Sequence, residues 1–322
     1  MIGSGRLFAA VGLSLSCGLS SGLATAETYP SKPITFIVPF VAGGTSDVIA
    51  RLTAEEMSRA LGQPLVIENV GGAGGAVGLA RASRAAPDGY TVTIGNAGNA
   101  AAIYWTTENL QFSPESFTPV GLIAKTSPVV ALRKNFPGTT VAEIIAYAKQ
   151  NPGKMSFGHA GVGSTNYLIC MSFLKAAAIE VSLVGYRGAS PALNDAMGGH
   201  LDGICDSATS VANAINGGEV KGLVVSATHR LKVLPNVPTA QEAGVPTFQA
   251  EGWNALFAPA GLPEPIIAKL NDALRKAVAS DTMQSRLTDL SALPASGDEL
   301  SSEYVRQLVP KEVEKYRVLL GK

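Results

Sequence analysis

A short apolar strand, a glycine-rich loop and a helix recur along this chain, and that repeat restricts the fold more than any other feature. The first copy begins with Ile34-Thr35-Phe36-Ile37-Val38, a β-branched run of strand length. It continues into Pro39-Phe40-Val41-Ala42-Gly43-Gly44-Thr45-Ser46-Asp47. From Val48 a helical pattern follows, with Ile49, Leu52, Met57 and Leu61 apolar and Arg51, Glu55, Glu56 and Arg59 between them. Two adjacent glycines allow a tight turn and the close approach of a ligand to the backbone. Thr45, Ser46 or Asp47 can cap the helix. The free N–H groups of a helix start, with the dipole behind them, form an anion site. The loop contains no His, Cys or Lys, so it suits holding a molecule rather than reacting with it; a plain βα turn is the alternative.

Further copies follow. Leu65–Glu68 leads into Gly71-Gly72-Ala73-Gly74-Gly75 and a helix to Ala86. Tyr90–Ile94 leads into Gly95-Asn96-Ala97-Gly98-Asn99, and strands follow at Phe117–Ile123 and Val129–Leu132. A second series starts with a helix after Thr140, whose spacing to Glu143 is that of a capping box. Met155–Gly158 leads into His159-Ala160-Gly161-Val162-Gly163, with Ser164 or Thr165 capping a helix to about Ala178. Val181–Val184 leads into Gly185-Tyr186-Arg187-Gly188-Ala189-Ser190 and a helix Pro191–Met197. Leu201–Cys205 ends in Asp206-Ser207. Beyond these the pattern predicts a strand Val220–Ala227, a short helix within Asn236–Gly244, a strand Trp253–Ala258, and helices Glu264–Ser280, Met283–Leu290 and Ser301–Leu320. Alternating strands and helices imply an α/β fold with mainly parallel sheets, and two series in 322 residues suggest two domains. Ligands bind at the carboxyl ends of such strands. Here those ends carry Gly43-Gly44, Gly95-Asn96, Gly161-Val162-Gly163, Tyr186-Arg187 and Asp206-Ser207; facing domains would line one cleft with them.

Other chemistry is poorly supported. Lys+Arg and Asp+Glu are both 25, a balance that points away from nucleic acid and from a polybasic membrane surface. The chain has no G-x-S-x-G elbow and no Walker A motif, and Val77 breaks a G-x-G-x-x-G reading of Gly71–Gly78. His159, His200 and His229 lack metal-ligand spacing and read as surface or loop residues. Asp47, Asp206 and Arg187 could serve catalysis, but a capping role suits Asp47 and a structural pair suits Arg187. No nucleophile stands with a base, so neither an enzyme nor a cofactor is expected.

The first residues read as a secretion signal. Met1–Arg6 is short and basic, Leu7–Leu23 is apolar and small, and Ala24-Thr25-Ala26 is an A-x-A cleavage site. A membrane anchor is the alternative, weakened by Ser14, Ser16, Ser20 and Ser21. Export without an anchor implies a periplasmic protein. Cys17 leaves with the signal, so Cys170 and Cys205 remain in an oxidising compartment, where a disulfide is expected over two buried thiols. It would close a loop of about 36 residues, worth roughly 3–4 kcal/mol in the chain-entropy model.

Together these residues carry a family resemblance. Tyr29-Pro30-Ser31-Lys32-Pro33-Ile34, followed by Val38-Pro39-Phe40-x-Ala42-Gly43-Gly44-x-x-Asp47-x-x-Ala50-Arg51, resembles the solute-binding proteins of tripartite tricarboxylate transporters, the Bug family. Matches extend along the mature chain: Glu68-Asn69-x-x-Gly72-Ala73-Gly74-Gly75, Pro87-Asp88-Gly89-Tyr90-Thr91, Gly161-Val162-Gly163-Ser164, Tyr186-Arg187-Gly188, Gly198-Gly199-His200-Leu201-Asp202, the Pro235–Gly244 segment, and Trp253 with Ala258-Pro259. The resemblance implies a two-domain Venus-flytrap, the type II periplasmic-binding-protein fold. Residues 27–125 plus 251–322 would form one domain and 126–250 the other, with the ligand cleft between them. It implies capture of a small organic carboxylate, a dicarboxylate or aromatic acid, for membrane permease subunits. A sensor subunit without a permease, or an exported enzyme, is the alternative. It also implies a binding set: Phe40, Val41, Ala42, Gly43, Gly44, Thr45 and Asp47 in the first loop, Asn96 and Ala97 in the next, and Gly161, Val162, Gly163, Ser164, Thr165 and Asn166 opposite. Tyr186, Arg187 and Asp206 complete it. Asp47 is read as fixing its loop, since a bare carboxylate would repel an anionic ligand. Paired cysteines at places like Cys170 and Cys205 occur in a subset of the family. The chain departs from the family at Tyr167, where His is usual, and at Gly185, where Pro is common. A monomer is expected. Amino-terminal sequencing of the exported protein should begin at Glu27; a retained Met1 would overturn the signal.

Overall fold

The computed structural model describes residues 1–3 and 29–322; the expected signal, its cleavage site and Cys17 lie outside the described residues. The chain runs through β1 (Ile34–Val38), α1 (Thr45–Leu61), β2 (Leu65–Asn69), α2 (Ala76–Ser83), β3 (Thr91–Asn96), α3 (Ile103–Thr106) and β4 (Phe117–Thr126). It continues through β5 (Pro128–Arg133), α4 (Val141–Gln150), β6 (Ser156–His159), α5 (Thr165–Ala177), β7 (Ser182–Gly185), α6 (Ala189–Met197), β8 (Gly203–Ser207), α7 (Ala208–Asn216) and β9 (Val220–Val225). It ends with β10 (Gly252–Pro259), α8 (Glu264–Ala279), α9 (Asp281–Asp289), β11 (Ala292–Pro294) and α10 (Ser302–Leu319).

Among the described residues these strands form two sheets. One has six strands in the order β11-β4-β10-β3-β1-β2, the other five in the order β7-β6-β8-β5-β9. Period-two alternation builds the second lobe: Val130 and Leu132 of β5 join a core with Ile144 of α4 and Phe173 of α5, while Val129 and Ala131 join Ala192 of α6 and Val211 of α7. Helices therefore cover both faces of that sheet. Buried residues of α1, α8 and α10, among them Met57, Leu274 and Val305, pack on the first sheet. The chain leaves the first sheet at Ser127 and returns to it at Gly252.

The sheets are mixed rather than mainly parallel. β1 pairs in parallel with β2 and β3, and β6 with β7 and β8, but β10 runs against β3 and β4, and β5 against β8 and β9. The cause is the crossing itself. Strands β5 and β10 enter their sheets at the end where β8 and β3 finish, so they must run in the opposite direction.

Several local readings need correction: β11 and α3 have no counterpart in the expected pattern, and α1 is capped by Gly44 without a side-chain bond. The α1 helix starts at Thr45, three residues before Val48. The expected helix within Asn236–Gly244 is a run of turns: Thr239 and Glu242 cap each other, but Pro235, Pro238 and Pro246 lack N–H donors and Gly244 is left-handed at φ 76°, so the helix does not propagate. Helix α7 was not anticipated. Its sequence, Ala-Thr-Ser-Val-Ala-Asn-Ala-Ile-Asn, carries no charged face and is rich in Ser, Thr and Asn, which are weak helix formers.

The Cys170–Cys205 disulfide is formed, with the Cα atoms 5.4 Å apart, and joins α5 to β8 inside the second lobe. The unreduced mature protein should weigh less than the dithiol by two hydrogen atoms. Replacing both cysteines by alanine should cost roughly 3–4 kcal/mol in chemical unfolding.

Candidate ligand-binding cleft

Four helices begin at one cavity between the lobes. The first residues of α1 (Thr45 and Ser46, after Gly44) and α5 (Thr165 and Asn166), the start of α6 (Ala189) and the residue before α7 (Ser207) all line it. The cavity is small, with about 30 Å³ open to the centre of a water molecule. Phe40, Asn96, Thr126, Ala160, Trp253 and Asn254 complete its wall, and no Lys or Arg lines it among the described residues. The first N–H groups of each helix have no intrahelical carbonyl to meet, so the cavity is rich in donors and in the positive ends of dipoles. Tyr167 N–H is already spent on Ser164 Oγ, and Ser207 N–H on Asp206 Oδ1. Thr45 Oγ1 is buried without a hydrogen-bond partner among the described residues. Such a group is normally satisfied by water or a ligand.

Asn96 holds the two lobes together at the floor. Its Oδ1 accepts from Gly98 N–H, from Asn99 N–H and, across the cleft, from Thr165 Oγ1, each at 3.0 Å. Its Nδ2 donates to Ser46 Oγ at 3.1 Å, and Ser46 Oγ donates to Asn254 Oδ1 at 3.2 Å. Asn254 stands beside Asn96 because β10 pairs with β3 in that register. Phe40 packs against Ala160 and Ala189 of the other lobe. The backbones also meet: a Cβ added at Gly98 would lie 2.1 Å from Thr165 N, so only glycine fits there.

The expected site residues divide into groups. Phe40, Gly44, Thr45, Asn96, Thr165 and Asn166 line the cavity. Val41, Gly161, Tyr186 and Arg187 line a separate outer mouth, where Arg187 Nη2 donates to Gly71 O at 3.4 Å and Tyr186 Oη donates to Asp195. Ala42 and Gly43 meet Ser190 across the gap, Ser190 Oγ donating to Ala42 O at 3.0 Å. Ala97, Gly163 and Ser164 are buried behind the wall, and Val162 is exposed on the outer side. Ser164 caps α5 and donates to Gly161 O. Asp206 is fully buried behind Asn166; burial pushes its carboxyl up, while hydrogen bonds from Ser210, Ser207 and Asn166 pull it back in part. Tyr167 lies against His159 with ring centroids 5.2 Å apart and packs on the first lobe's core. His159 is not a surface residue: it is buried at the end of β6, where burial lowers its pKa and Nδ1 accepts from Gly161 N–H.

Ser46, Thr126, Ala160, Ala189, Ser207, Trp253 and Asn254 were not anticipated. Ser46, Ser207 and Ala160 adjoin the glycine loops and could have been included by position. Trp253 and Asn254 follow the return crossing, and only strand pairing brings them to the cleft.

Asp47 fixes the first loop. Its carboxylate accepts from Gly43 N–H at 2.9 Å, Arg51 Nε at 3.0 Å and Asn69 Nδ2 at 2.8 Å. Burial works to raise its pKa, but those bonds outweigh it and hold the carboxyl below its ordinary value. A group lowered in the folded state stabilises the fold above its unfolded pKa, near 3.9, and loses that contribution as pH falls through the folded value. The stability difference between the natural protein and Asp47→Asn should therefore be largest near neutral pH and shrink below about pH 4, read by urea unfolding at a series of pH values.

Residues 49–322 match the family described as tripartite tricarboxylate transporter family receptor (TctC). An Agrobacterium vitis relative, a UPF0065 protein in the TAR-I ttuE-ttuC' intergenic region, is 38% identical over 90% of this chain and 84% of its own. Among solved structures, MatC of Rhodopseudomonas palustris with bound malate superposes with a TM-score of 0.87 at 37% identity, covering 90% of this chain and 99% of that one. A second R. palustris protein, determined with adipate, gives 0.85 at 32% identity over 91% and 98%. Two lobes that meet over donor-rich helix starts, and relatives matched along nearly their whole length, place this chain in the tripartite tricarboxylate transporter receptor family, whose members are periplasmic solute-binding proteins and not enzymes.

Proposed function

We propose that the protein captures a small organic carboxylate in the cleft between its lobes and delivers it to the permease subunits of a tripartite tricarboxylate transporter. The observation that carries this reading is the convergence of four helix starts on a cavity lined by no basic side chain among the described residues. Backbone N–H groups and hydroxyls can hold a carboxylate through charge-assisted hydrogen bonds, each worth on the order of 1.5–3 kcal/mol. The malate and adipate held by the two R. palustris neighbours support the ligand class. Residues 27–125 with 251–322 act as one domain and 126–250 as the other, closing about the crossings beside Ser127 and Gly252. The working binding set is Phe40, Gly44, Thr45, Asn96, Thr165 and Asn166, joined by Ser46, Ser207, Trp253 and Asn254. Arg187 and Tyr186 guard the outer mouth, and Asp47 and Asp206 position the loops without touching the ligand. The protein works as an exported monomer in the periplasm. Among the described residues no helix is long and apolar enough to cross a membrane.

A thermal-shift screen of short monocarboxylates, dicarboxylates and aromatic acids tests this. A true ligand at a hundredfold excess over its Kd should add about 2.7 kcal/mol of stability. Stabilisation by sugars or cations, with none by any acid, would overturn the reading.

A further inference from the structure

Asn166 differs in polarity from the groups around it. It is the second residue of α5 and lines the cleft. Its side-chain Nδ2 donates to Cys205 O at 2.9 Å and to Asp206 Oδ1 at 2.9 Å. A primary amide has two N–H hydrogens, and both are thereby used. A backbone carbonyl can only accept, so the nitrogen must face Cys205 whatever the protonation of Asp206. The amide is thus oriented by its surroundings, and its Oδ1, a pure acceptor, has no partner among the described residues. Beside it the cleft offers groups that donate or can donate: the N–H groups of Thr45 and Ser46, the Thr45 hydroxyl, and the amide nitrogen of Asn254, whose oxygen already accepts from Ser46. The two anchors of Asn166 are themselves held. Cys205 is bonded to Cys170, one helical turn beyond Asn166, and buried Asp206 also accepts from Ser207 N–H at 2.7 Å. Turning the amide over would break both of its bonds and set oxygen against oxygen.

We propose that Asn166 is a specificity-determining residue that selects, among the acids the cleft takes, those carrying a hydroxyl. This rests on the carboxylate reading given above. A carboxylate oxygen placed against Asn166 Oδ1 brings two acceptors together, whereas a hydroxyl on the ligand's carbon chain donates to it. The helix starts hold the carboxylate and the amide oxygen reads the substituent. An acceptor that a bound ligand covers without pairing is penalised, so an acid without the hydroxyl is rejected as well as less well held.

Calorimetric titration of the mature protein with matched acids tests this: succinate against 2-hydroxysuccinate, and adipate against 2-hydroxyadipate. The hydroxylated member of the pair that fits should bind about tenfold more tightly, the ratio expected of one ordinary hydrogen bond. Asn166→Leu, of similar volume and without the acceptor, should bring that ratio close to one, whatever it does to the affinity of either acid alone. Asn166→Ala serves if the leucine variant does not fold. Equal affinities within each pair for the natural protein, with the acids bound, overturn this inference and leave the carboxylate reading standing. A ratio that survives both substitutions also overturns it. Failure of all four to bind overturns this inference; the carboxylate reading falls with it only if no acid of the thermal-shift screen stabilises the protein either.

Discussion

The structure depends on backbone N–H groups that have no partner within the fold. Each of α1, α5, α6 and α7 starts beside the same cavity, and the first donors of each cannot be met inside the helix. Such donors are costly to bury dry. The fold therefore keeps them facing a cavity that water or an anion can fill, and it keeps competing groups away. Asp47 turns its charge toward Gly43, Arg51 and Asn69, and Asp206 lies behind Asn166. Both carboxylates near the cleft are used to shape loops.

This arrangement follows from sheet direction. Parallel strands finish at the same edge, and the helices that follow them start there. Two such sheets facing each other bring their helix starts together. The crossing strands β5 and β10 break the parallel pattern, and they also bring Trp253 and Asn254 to the floor, residues that no βα loop supplies. Trp253 ties the cleft to the outer helix, its Nε1 donating to Glu312 of α10 at 3.0 Å. Across the gap, contact is made by a few short groups: Asn96 with Thr165, Phe40 with Ala160 and Ala189, Ser190 with Ala42. Small residues and glycines let the lobes approach at backbone distance.

Much of the fold was legible in the sequence because its signals are local. The β-branched run before Pro39, the capping box at Thr140 and Glu143, and the glycine pairs after strands each depend on neighbours a few residues away. Readings failed where distant structure decided. Thr239 and Glu242 announce a helix start, but the prolines around them stop it after a turn. Helix α7 mixes alanines with weak helix formers and has no charged face to mark it; it forms because Ala208, Val211 and Ala214 fill the second lobe's core. His159, a polar residue in a glycine loop, looked exposed; it is buried because it ends β6 and lies under Tyr167.

For the cleft, the sequence by itself determined which segments meet there, since strand ends and glycine loops are encoded by adjacent residues. It also supplied the two cysteines, Cys170 and Cys205, that pair. Only the tertiary structure decided which atoms face the cavity. It placed Arg187 at the outer mouth, put Asp206 behind the wall, brought Asn254 beside Asn96, and turned the amide of Asn166 so that its oxygen is left free. The physical reason is that orientation depends on partners far apart in the chain: Asn166 and Cys205 are 39 residues apart, Ser46 and Asn254 are 208. Their hydrogen bonds exist only after both sheets have formed.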